Sequence, residues 1–130
     1  MKSIEVVAGI IHREGEVYAT QRGYGAFEGL WEFPGGKIEP GETPREALAR
    51  ELREELCVEV EIERHLCTVE YDYPDFHLTL HCFICSLSGG TLTLTEHKSA
   101  RWTTLRDIDS LAWLPADRSV IAALRRAFPD

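Results

Sequence analysis

The sequence has no apolar run long enough to cross a membrane, and it has fewer basic than acidic residues. It contains 14 Lys and Arg against 22 Asp and Glu, so the formal net charge is −8. A membrane-spanning helix needs about 20 mostly apolar residues, and a nucleic-acid surface needs a patch of Lys and Arg. We therefore expect no nucleic-acid partner and no membrane partner. A nucleotide substrate stays possible, because a bound cation reverses the local field.

Cysteines are few, and their spacing does not predict a disulfide framework or a zinc site. Cys82 and Cys85 form a C-x-x-C, but they lie in an apolar stretch typical of a β-strand. Residues three apart on a strand point to opposite faces, so the two thiols cannot easily share one ion. The first residues do not resemble a secretory signal. We predict reduced core cysteines in a cytoplasmic protein.

The remaining pattern predicts one α/β (α+β) domain spanning residues 1–130, without repeats or proline-rich linkers. Apolar residues make up 44% of the chain, enough for a substantial core at this length. Strands are predicted at residues 3–11, 17–21, 67–73, 76–84, 91–95 and 100–103, and a last helix near residues 117–128. Because strands and helices do not alternate strictly, we expect a mixed sheet between helices.

A further helix has clear start signals just after the turn P-G-G-K. Thr43 is a candidate N-cap, Pro44 occupies the first helical position, and Glu46 completes a capping box. Four apolar residues then recur at helical spacing and predict the buried stripe: Ala47, Leu48, Leu52 and Leu56.

The opposite face of this helix carries an unusual density of carboxylates. Glu51 lies three residues before Glu54 and four before Glu55, so all three share one face. Arg50 offsets only part of their repulsion. An ordinary solvated face is one interpretation. The alternative is a cation site, because hard oxygen ligands beside a glycine turn and a lysine suit Mg²⁺ with bound phosphates.

The motif then becomes specific, because it resembles the Nudix box, G-x5-E-x7-R-E-U-x-E-E-x-G-U with U aliphatic. The matching residues are Gly36, Glu42, Arg50, Glu51, Leu52, Glu54, Glu55 and Val58. The E-F-P-G-G-K stretch and the Y-D-Y-P-D-F hairpin also look like the MutT-type branch of the family. One position departs, since Cys57 stands where the family has glycine. We expect a slightly altered helix end there.

The resemblance implies a Nudix fold and a set of metal ligands and catalytic groups. Mg²⁺, with Mn²⁺ as a substitute, would be bound by Glu51, Glu54, Glu55 and the Gly35 carbonyl. Glu96 matches a further family carboxylate, although a solvated loop acid is an equal alternative. The general base is left open, with Glu54 ranked before Glu51. Arg50 is expected to orient the carboxylates.

Substrate contacts follow from the same resemblance. Lys37 and Arg22 are the expected phosphate contacts, with a surface charge as the alternative for Arg22. Glu32, Phe33 and Phe76 match pocket positions, although Phe33 fits a core role equally well.

Asp117 stands where relatives carry an asparagine that reads 8-oxoguanine, and it also suits the N-cap of the last helix. As a carboxylate it could only accept hydrogen bonds, which suits an exocyclic amine or the N1 and N2 donors of guanine.

The resemblance implies a pyrophosphohydrolase of nucleoside triphosphates, acting on oxidised or modified nucleotides such as 8-oxo-dGTP, or on (d)CTP. Two alternatives are a Nudix hydrolase of an ADP-sugar or dinucleotide, and a non-catalytic nucleotide sensor. The absence of insertions weighs against the first, and the intact carboxylates weigh against the second.

Two other classes of function are disfavoured by missing motifs. There is no D-x-D-x-D-G calcium loop and no G-x-S-x-G nucleophile motif. His77, His81 and His97 are interpreted as structural or solvent-facing. No feature marks a dimer interface, so a monomer is the simpler expectation.

Overall fold

A mixed sheet runs through the middle of the molecule, with one helix packed on each face. The computed structural model describes residues 2–95 and 97–128. Its strands are β1 (Lys2–Arg13), β2 (Glu16–Arg22), β3 (Trp31–Glu32), β4 (Gly35–Lys37), β5 (Val58–Tyr73), β6 (Phe76–Gly90) and β7 (His97–Thr104). The helices are α1 (Pro44–Leu56) and α2 (Pro115–Ala127), with a 3-10 turn at Ile108–Ser110.

Strand β1 lies at the centre and has different partners along its two edges. The path of the sheet is β3-β2-β1-β6-β5, where β1 and β6 are parallel and the other pairs are antiparallel. On the opposite edge, β4 pairs with Val6–Ala8, whereas β2 pairs with β1 only at His12 and Arg13. Strand β7 extends the sheet through β2. The edge of β1 is thus divided between two partners, and β4 brings the P-G-G-K turn against it.

Alternate residues of β1 enter two separate hydrophobic clusters. Ala8 and Ile10 belong to the cluster that contains the apolar side of α2, and Val7 and Ile11 belong to the cluster that contains α1. Successive strand residues point to opposite faces, so this alternation follows from the strand geometry. The predicted mixed sheet with helices on both sides is confirmed.

Helix α1 begins and packs as its sequence predicts. Thr43 is the N-cap, its hydroxyl accepts from the Glu46 N–H, and the Glu46 carboxylate accepts from the Thr43 N–H. The predicted stripe is fully buried, and it consists of Ala47, Leu48, Leu52 and Leu56. The opposite face of α1 is left for the carboxylates.

The end of α1 has a glycine-like geometry without a glycine. Cys57 follows the last helical residue in the left-handed conformation, with φ 61° and ψ 35°, and its N–H bonds to the Arg53 carbonyl at 3.1 Å. The expected alteration of the helix end is therefore not seen. Cys57 adopts the backbone conformation that glycine adopts without steric cost.

Residues 91–95 form no strand, so this prediction is wrong. The chain instead lies against the end of α1, where the Thr93 N–H bonds to the Leu56 carbonyl at 2.9 Å. The Thr95 hydroxyl bonds to the Glu55 carbonyl at 3.0 Å. Backbone carbonyls at a helix C-terminus lack intrahelical partners, and this segment satisfies them.

The predicted hairpin is confirmed, because β5 and β6 pair in antiparallel fashion and are joined by a turn of two residues, 74 and 75. Helix α2 begins earlier than predicted. Leu114 is its N-cap, and Asp117 lies in the first turn rather than at the cap.

The four cysteines are free thiols, but the predicted core position holds only for Cys82 and Cys85, since Cys57 is exposed and Cys67 is half-buried. Cys82 belongs to the α2 cluster and Cys85 to the α1 cluster, so the two face opposite sides of the sheet. Within the described residues, neither helix has the length and apolar character needed to span a bilayer.

Replacing Cys57 with glycine should stabilise the fold. A non-glycine residue in the left-handed region costs about 1–2 kcal/mol, and the entropy of glycine offsets roughly 0.5–1 kcal/mol of that gain. We expect Cys57→Gly to raise the free energy of unfolding by roughly 0.5–1 kcal/mol, measured by urea denaturation. Cys57→Ala is the control, and equal stability of the two variants would contradict the assignment of strain.

Candidate active site

A cavity of about 590 Å³ opens beside the divided edge of β1. It is lined by residues of β1, β4, α1 and the β5–β6 hairpin, together with the first turn of α2. The cavity brings together most of the residues predicted for the site: Arg22, Glu32, Phe33, Gly35, Lys37, Glu51, Glu55, Phe76 and Asp117. Arg50 and Glu54 are not among the lining residues, and Glu96 lies outside the described part of the chain.

Arg50 is the centre of the acidic face of α1. Its Nε donates to Glu42 Oε2 at 2.6 Å, and its Nη1 donates to Glu51 Oε1 at 2.9 Å and Glu54 Oε1 at 3.1 Å. Nη2 also donates to the Lys37 carbonyl at 3.0 Å. The hydrogen bond from Arg50 lowers the pKa of the Glu42 carboxyl. One guanidinium thus ties the loop before α1 to the helix face.

The three carboxylates of α1 occupy different environments. The side chains of Glu51 and Glu55 are 16% and 12% exposed and line the cavity, whereas the Glu54 side chain is 60% exposed. Glu51 lies directly against the backbone of β4, because a Cβ on Gly36 would overlap its carboxylate. A side chain at position 36 would therefore require the Glu51 carboxylate to move.

The donor set fits a hard divalent cation. Among the described residues, no three or more of His, Cys, Asp and Glu are gathered closely enough to hold a metal ion. Arg50 bonds to one oxygen of Glu51 and to one oxygen of Glu54. The carboxylate oxygens of Glu51 and Glu55 nevertheless line one cavity with the backbone of Gly35. An all-oxygen set of this kind is suited to Mg²⁺ or Mn²⁺.

A second cluster of polar side chains connects α1 to the strands. Arg22 Nε lies 3.3 Å from Glu32 Oε1. His97 Nε2 lies 3.6 Å from Glu32 Oε2 and also 3.6 Å from Glu55 Oε2.

Of the two interpretations of His97, the structure excludes the solvent-facing one and leaves the structural one. Its side chain is only 5% exposed and lines the cavity, so it is not solvent-facing. The sequence carried no signal for this position, because it depends on how residues 93–95 dock on α1.

Asp117 is buried at the other polar position of the cavity. Its Oδ2 accepts a hydrogen bond from the Phe33 N–H at 2.8 Å, and the residue as a whole is 5% exposed. Burial raises the pKa of Asp117 to about 8, and the nearby charge of Glu32 adds to the rise. Below that pH the group is neutral and can donate as well as accept. The protonated group differs in this respect from the acceptor-only carboxylate that the sequence analysis considered.

Aromatic residues form the apolar walls around Asp117. Phe33 packs on Trp113 with ring centroids 4.7 Å apart, so it is both a core residue and a cavity residue. Phe76 stacks on Tyr73 at 5.1 Å. The Tyr73 hydroxyl accepts from the Ala116 N–H at 3.2 Å, which fixes Tyr73 to the start of α2. Sequence reasoning missed Tyr73, which its alternation pattern marked only as a strand residue.

The loop between β2 and β3 covers one side of these rings. The ring centroids of Phe27 and Tyr73 are 5.2 Å apart, and Phe27 has a positive φ of 67°. A positive φ is unusual for a bulky residue, and such strain is often found at ligand sites.

Comparison with known proteins identifies the family of the chain. The model of the NUDIX domain matches residues 2–124. The chain is 38% identical over 133 residues to the CTP pyrophosphohydrolase of Escherichia coli (strain K12), covering 99% of this chain and 98% of that protein. It is 36% identical over 128 residues to the 8-oxo-dGTP diphosphatase of the same organism, covering 97% and 99%.

A solved structure agrees with these relatives. The solution structure of the E. coli ORF135 protein superposes with a TM-score of 0.84 at 37% identity, covering 99% of this chain and 95% of that one. The chain belongs to the Nudix family, as a MutT-like Nudix hydrolase.

The buried Asp117 should make stability depend on pH. Its pKa is raised from 3.8 in the unfolded chain to about 8 in the fold. Its contribution to stability is therefore complete below about pH 4 and is lost as pH rises through 8. Asp117→Asn should lose less stability than the wild type between pH 4 and 8, measured by urea denaturation at each pH. Asp75→Asn, in an exposed turn, is the control. Parallel curves for Asp117→Asn and the wild type would contradict the prediction.

Proposed function

We propose that this chain hydrolyses nucleoside triphosphates to a monophosphate and pyrophosphate with Mg²⁺, and that 8-oxo-dGTP is its first candidate substrate. The observation that carries the proposal is one cavity that combines the α1 carboxylates with an apolar pocket around Asp117. The first group suits a cation and phosphates, and the second suits a base. A volume near 590 Å³ lies within the range of small-molecule sites.

Glu51 and Glu55, with the Gly35 carbonyl, would hold the Mg²⁺, and Glu54 would complete the set from the rim. A bound Mg²⁺ offsets phosphate charge and lowers the pKa of a water ligand. Arg50 would keep Glu51 and Glu54 in place through the two hydrogen bonds from its Nη1. Its donors are already engaged by protein oxygens, so we assign it to positioning rather than to substrate.

Arg22 and Lys37 would bind the phosphates, because both line the cavity and carry positive charge. Arg22 is held at its guanidinium by Glu32, which leaves other donors of the fork available. Lys37 is exposed and lies on β4, next to the backbone that contacts Glu51. The polar contacts therefore surround the part of the cavity where the α1 carboxylates lie.

A carboxylate of α1 would accept the proton of the attacking water. We place Glu54 first, because its carboxylate faces water and has one oxygen held by Arg50. Glu51 is the second candidate, since it lies deeper in the cavity and packs on Gly36.

Glu54→Gln should lower kcat by roughly 10²–10⁴-fold, the usual contribution of general acid–base catalysis. The fold should be unaffected because the side chain is exposed, and circular dichroism would check this. Glu59→Gln is the matched control, because Glu59 is an exposed carboxylate on β5 that pairs with Arg53 of α1 and lies outside the cavity. Unchanged turnover in Glu54→Gln would exclude Glu54 as the base.

Asp117 is the proposed reader of the base. A neutral carboxyl group has one O–H donor beside an acceptor. It therefore complements a base edge with an adjacent acceptor and donor. 8-Oxoguanine presents O6 and N7–H in this way, whereas ordinary guanine presents two acceptors, O6 and N7.

(d)CTP is the second candidate substrate. Cytosine has an N4 amine donor beside the N3 acceptor, so it also complements a neutral carboxyl group. The 38% identical relative named CTP pyrophosphohydrolase favours this candidate.

The testing experiment is a Mg²⁺-dependent hydrolysis panel with pyrophosphate and phosphate assayed separately. It includes 8-oxo-dGTP, dGTP, CTP, dCTP, dATP and ADP-ribose. Pyrophosphate release led by 8-oxo-dGTP would support the first candidate, and a lead for CTP or dCTP would support the second. A lead for ADP-ribose, or no turnover of any compound, would overturn the proposal and favour another diphosphate substrate or a nucleotide sensor.

Recognition by neutral Asp117 should weaken at high pH. As pH rises through about 8, the carboxyl group loses its proton and its donor. We expect KM for the preferred nucleotide to rise between pH 7 and 9 in the wild type. Asp117→Asn keeps a donor and an acceptor at every pH, so its KM should rise less. Identical KM profiles for the two proteins would contradict this role of Asp117.

A further inference from the structure

His97 occupies an unusual position for a residue at a strand end. It is the first residue of β7 and pairs with Arg22 of β2, where the register of the two strands shifts. Its side chain is 5% exposed. Its Nδ1 is buried and has no hydrogen-bond partner among the described residues. Buried polar atoms are normally hydrogen-bonded, so an unpartnered one needs an explanation.

The other ring nitrogen lies between two carboxylates from different elements. Nε2 is 3.6 Å from Glu32 Oε2 on β3 and 3.6 Å from Glu55 Oε2 on α1. This distance exceeds that of a hydrogen bond, so the imidazole contacts both carboxylates without bonding closely to either. Both carboxylates line the cavity together with His97.

Neighbouring contacts fix this position in the fold. Thr95 bonds to the Glu55 carbonyl through both its N–H and its hydroxyl, at 3.3 and 3.0 Å. On the other side, Glu32 is bonded to Arg22 at 3.3 Å. Arg22, Glu32, His97 and Glu55 thus form a continuous polar chain from a proposed phosphate contact to a proposed metal ligand.

We propose that His97 is a positioning residue that holds Glu55 toward the metal site and Glu32 toward Arg22. The metal-site part rests on the proposed function, because it takes Glu55 as a cation ligand. Groups that orient metal ligands from behind usually contribute 10–100-fold to metal affinity or activity. His97 would act through the two carboxylates, without touching substrate.

The test compares side chains at position 97 that differ in how closely a polar atom can approach the Glu32 and Glu55 carboxylates. Gln places an amide close to the position of Nε2, Asn is too short to approach both carboxylates, and Leu has no polar atom. Mn²⁺ binding without nucleotide, followed by the electron paramagnetic resonance signal of free Mn²⁺, gives a readout independent of turnover. His81→Leu is the matched control, because His81 also contacts a carboxylate, Glu5, but lies outside the cavity.

We expect His97→Leu and His97→Asn to weaken Mn²⁺ binding by about 10–100-fold. The Mn²⁺ affinities of His97→Gln and His81→Leu should stay within about threefold of the wild-type affinity. This difference is small compared with the expected 10–100-fold loss. Thermal melting checks whether each variant is folded. If His97→Leu does not fold, the comparison of His97→Asn with His97→Gln tests the proposal. Equal Mn²⁺ affinity in the Asn, Gln and wild-type proteins would overturn the proposal, as would a wild type that binds no Mn²⁺.

The hydrolysis panel separates this inference from the proposed function. A wild type that binds Mn²⁺ in a His97-dependent way but hydrolyses no nucleotide would support the positioning role and overturn the proposed activity. A wild type that hydrolyses nucleotides, with Mn²⁺ affinity and kcat unaffected by His97→Asn, would overturn the positioning role alone.

Discussion

The arrangement of the site depends on the guanidinium of Arg50. It bonds to Glu42 before the helix, to Glu51 and Glu54 on the helix, and to the Lys37 carbonyl on β4. Carboxylates at helical spacings of three and four repel one another, and a shared cation offsets this repulsion. Arginine suits the task because its planar fork presents five donors in fixed directions. Lysine, a single charged point, could not join the loop, strand and helix in this way.

The Asp117 end of the cavity, the proposed base site, depends on a different set of contacts, made by the backbone. The Trp31 N–H bonds to the Ala112 carbonyl at 2.8 Å, and the Leu114 N–H bonds to the Trp31 carbonyl at 2.9 Å. These bonds align β3 with the start of α2, and they bring the Phe33 N–H to Asp117. Reading of a base would thus rest on main-chain pairing between segments about 80 residues apart in sequence.

Local patterns in the sequence predicted the local structure well. The capping box and leucine stripe specify α1, because both depend on residues within one helix. The T-L-T-L-T pattern at residues 91–95 led to a wrong strand prediction, because an alternating segment forms a strand only where another strand is available to pair with it. Here the nearest unsatisfied groups are the carbonyls at the end of α1. The burial of His97 and the raised pKa of Asp117 depend on distant segments, so sequence patterns could not predict them.

The acidic groups at the two ends of the cavity lie in opposite electrostatic environments. At the α1 end, the negative charge of Glu51 is offset by Arg50, and the Glu55 carboxylate lies near His97. At the Asp117 end, no cation contacts Asp117 directly among the described residues, and burial favours its neutral form. A triphosphate brings several negative charges, so fixed carboxylates are useful only where a cation can join them. In its neutral form Asp117 would add polar recognition without adding repulsion, and in this way an acidic protein would accommodate an anionic substrate.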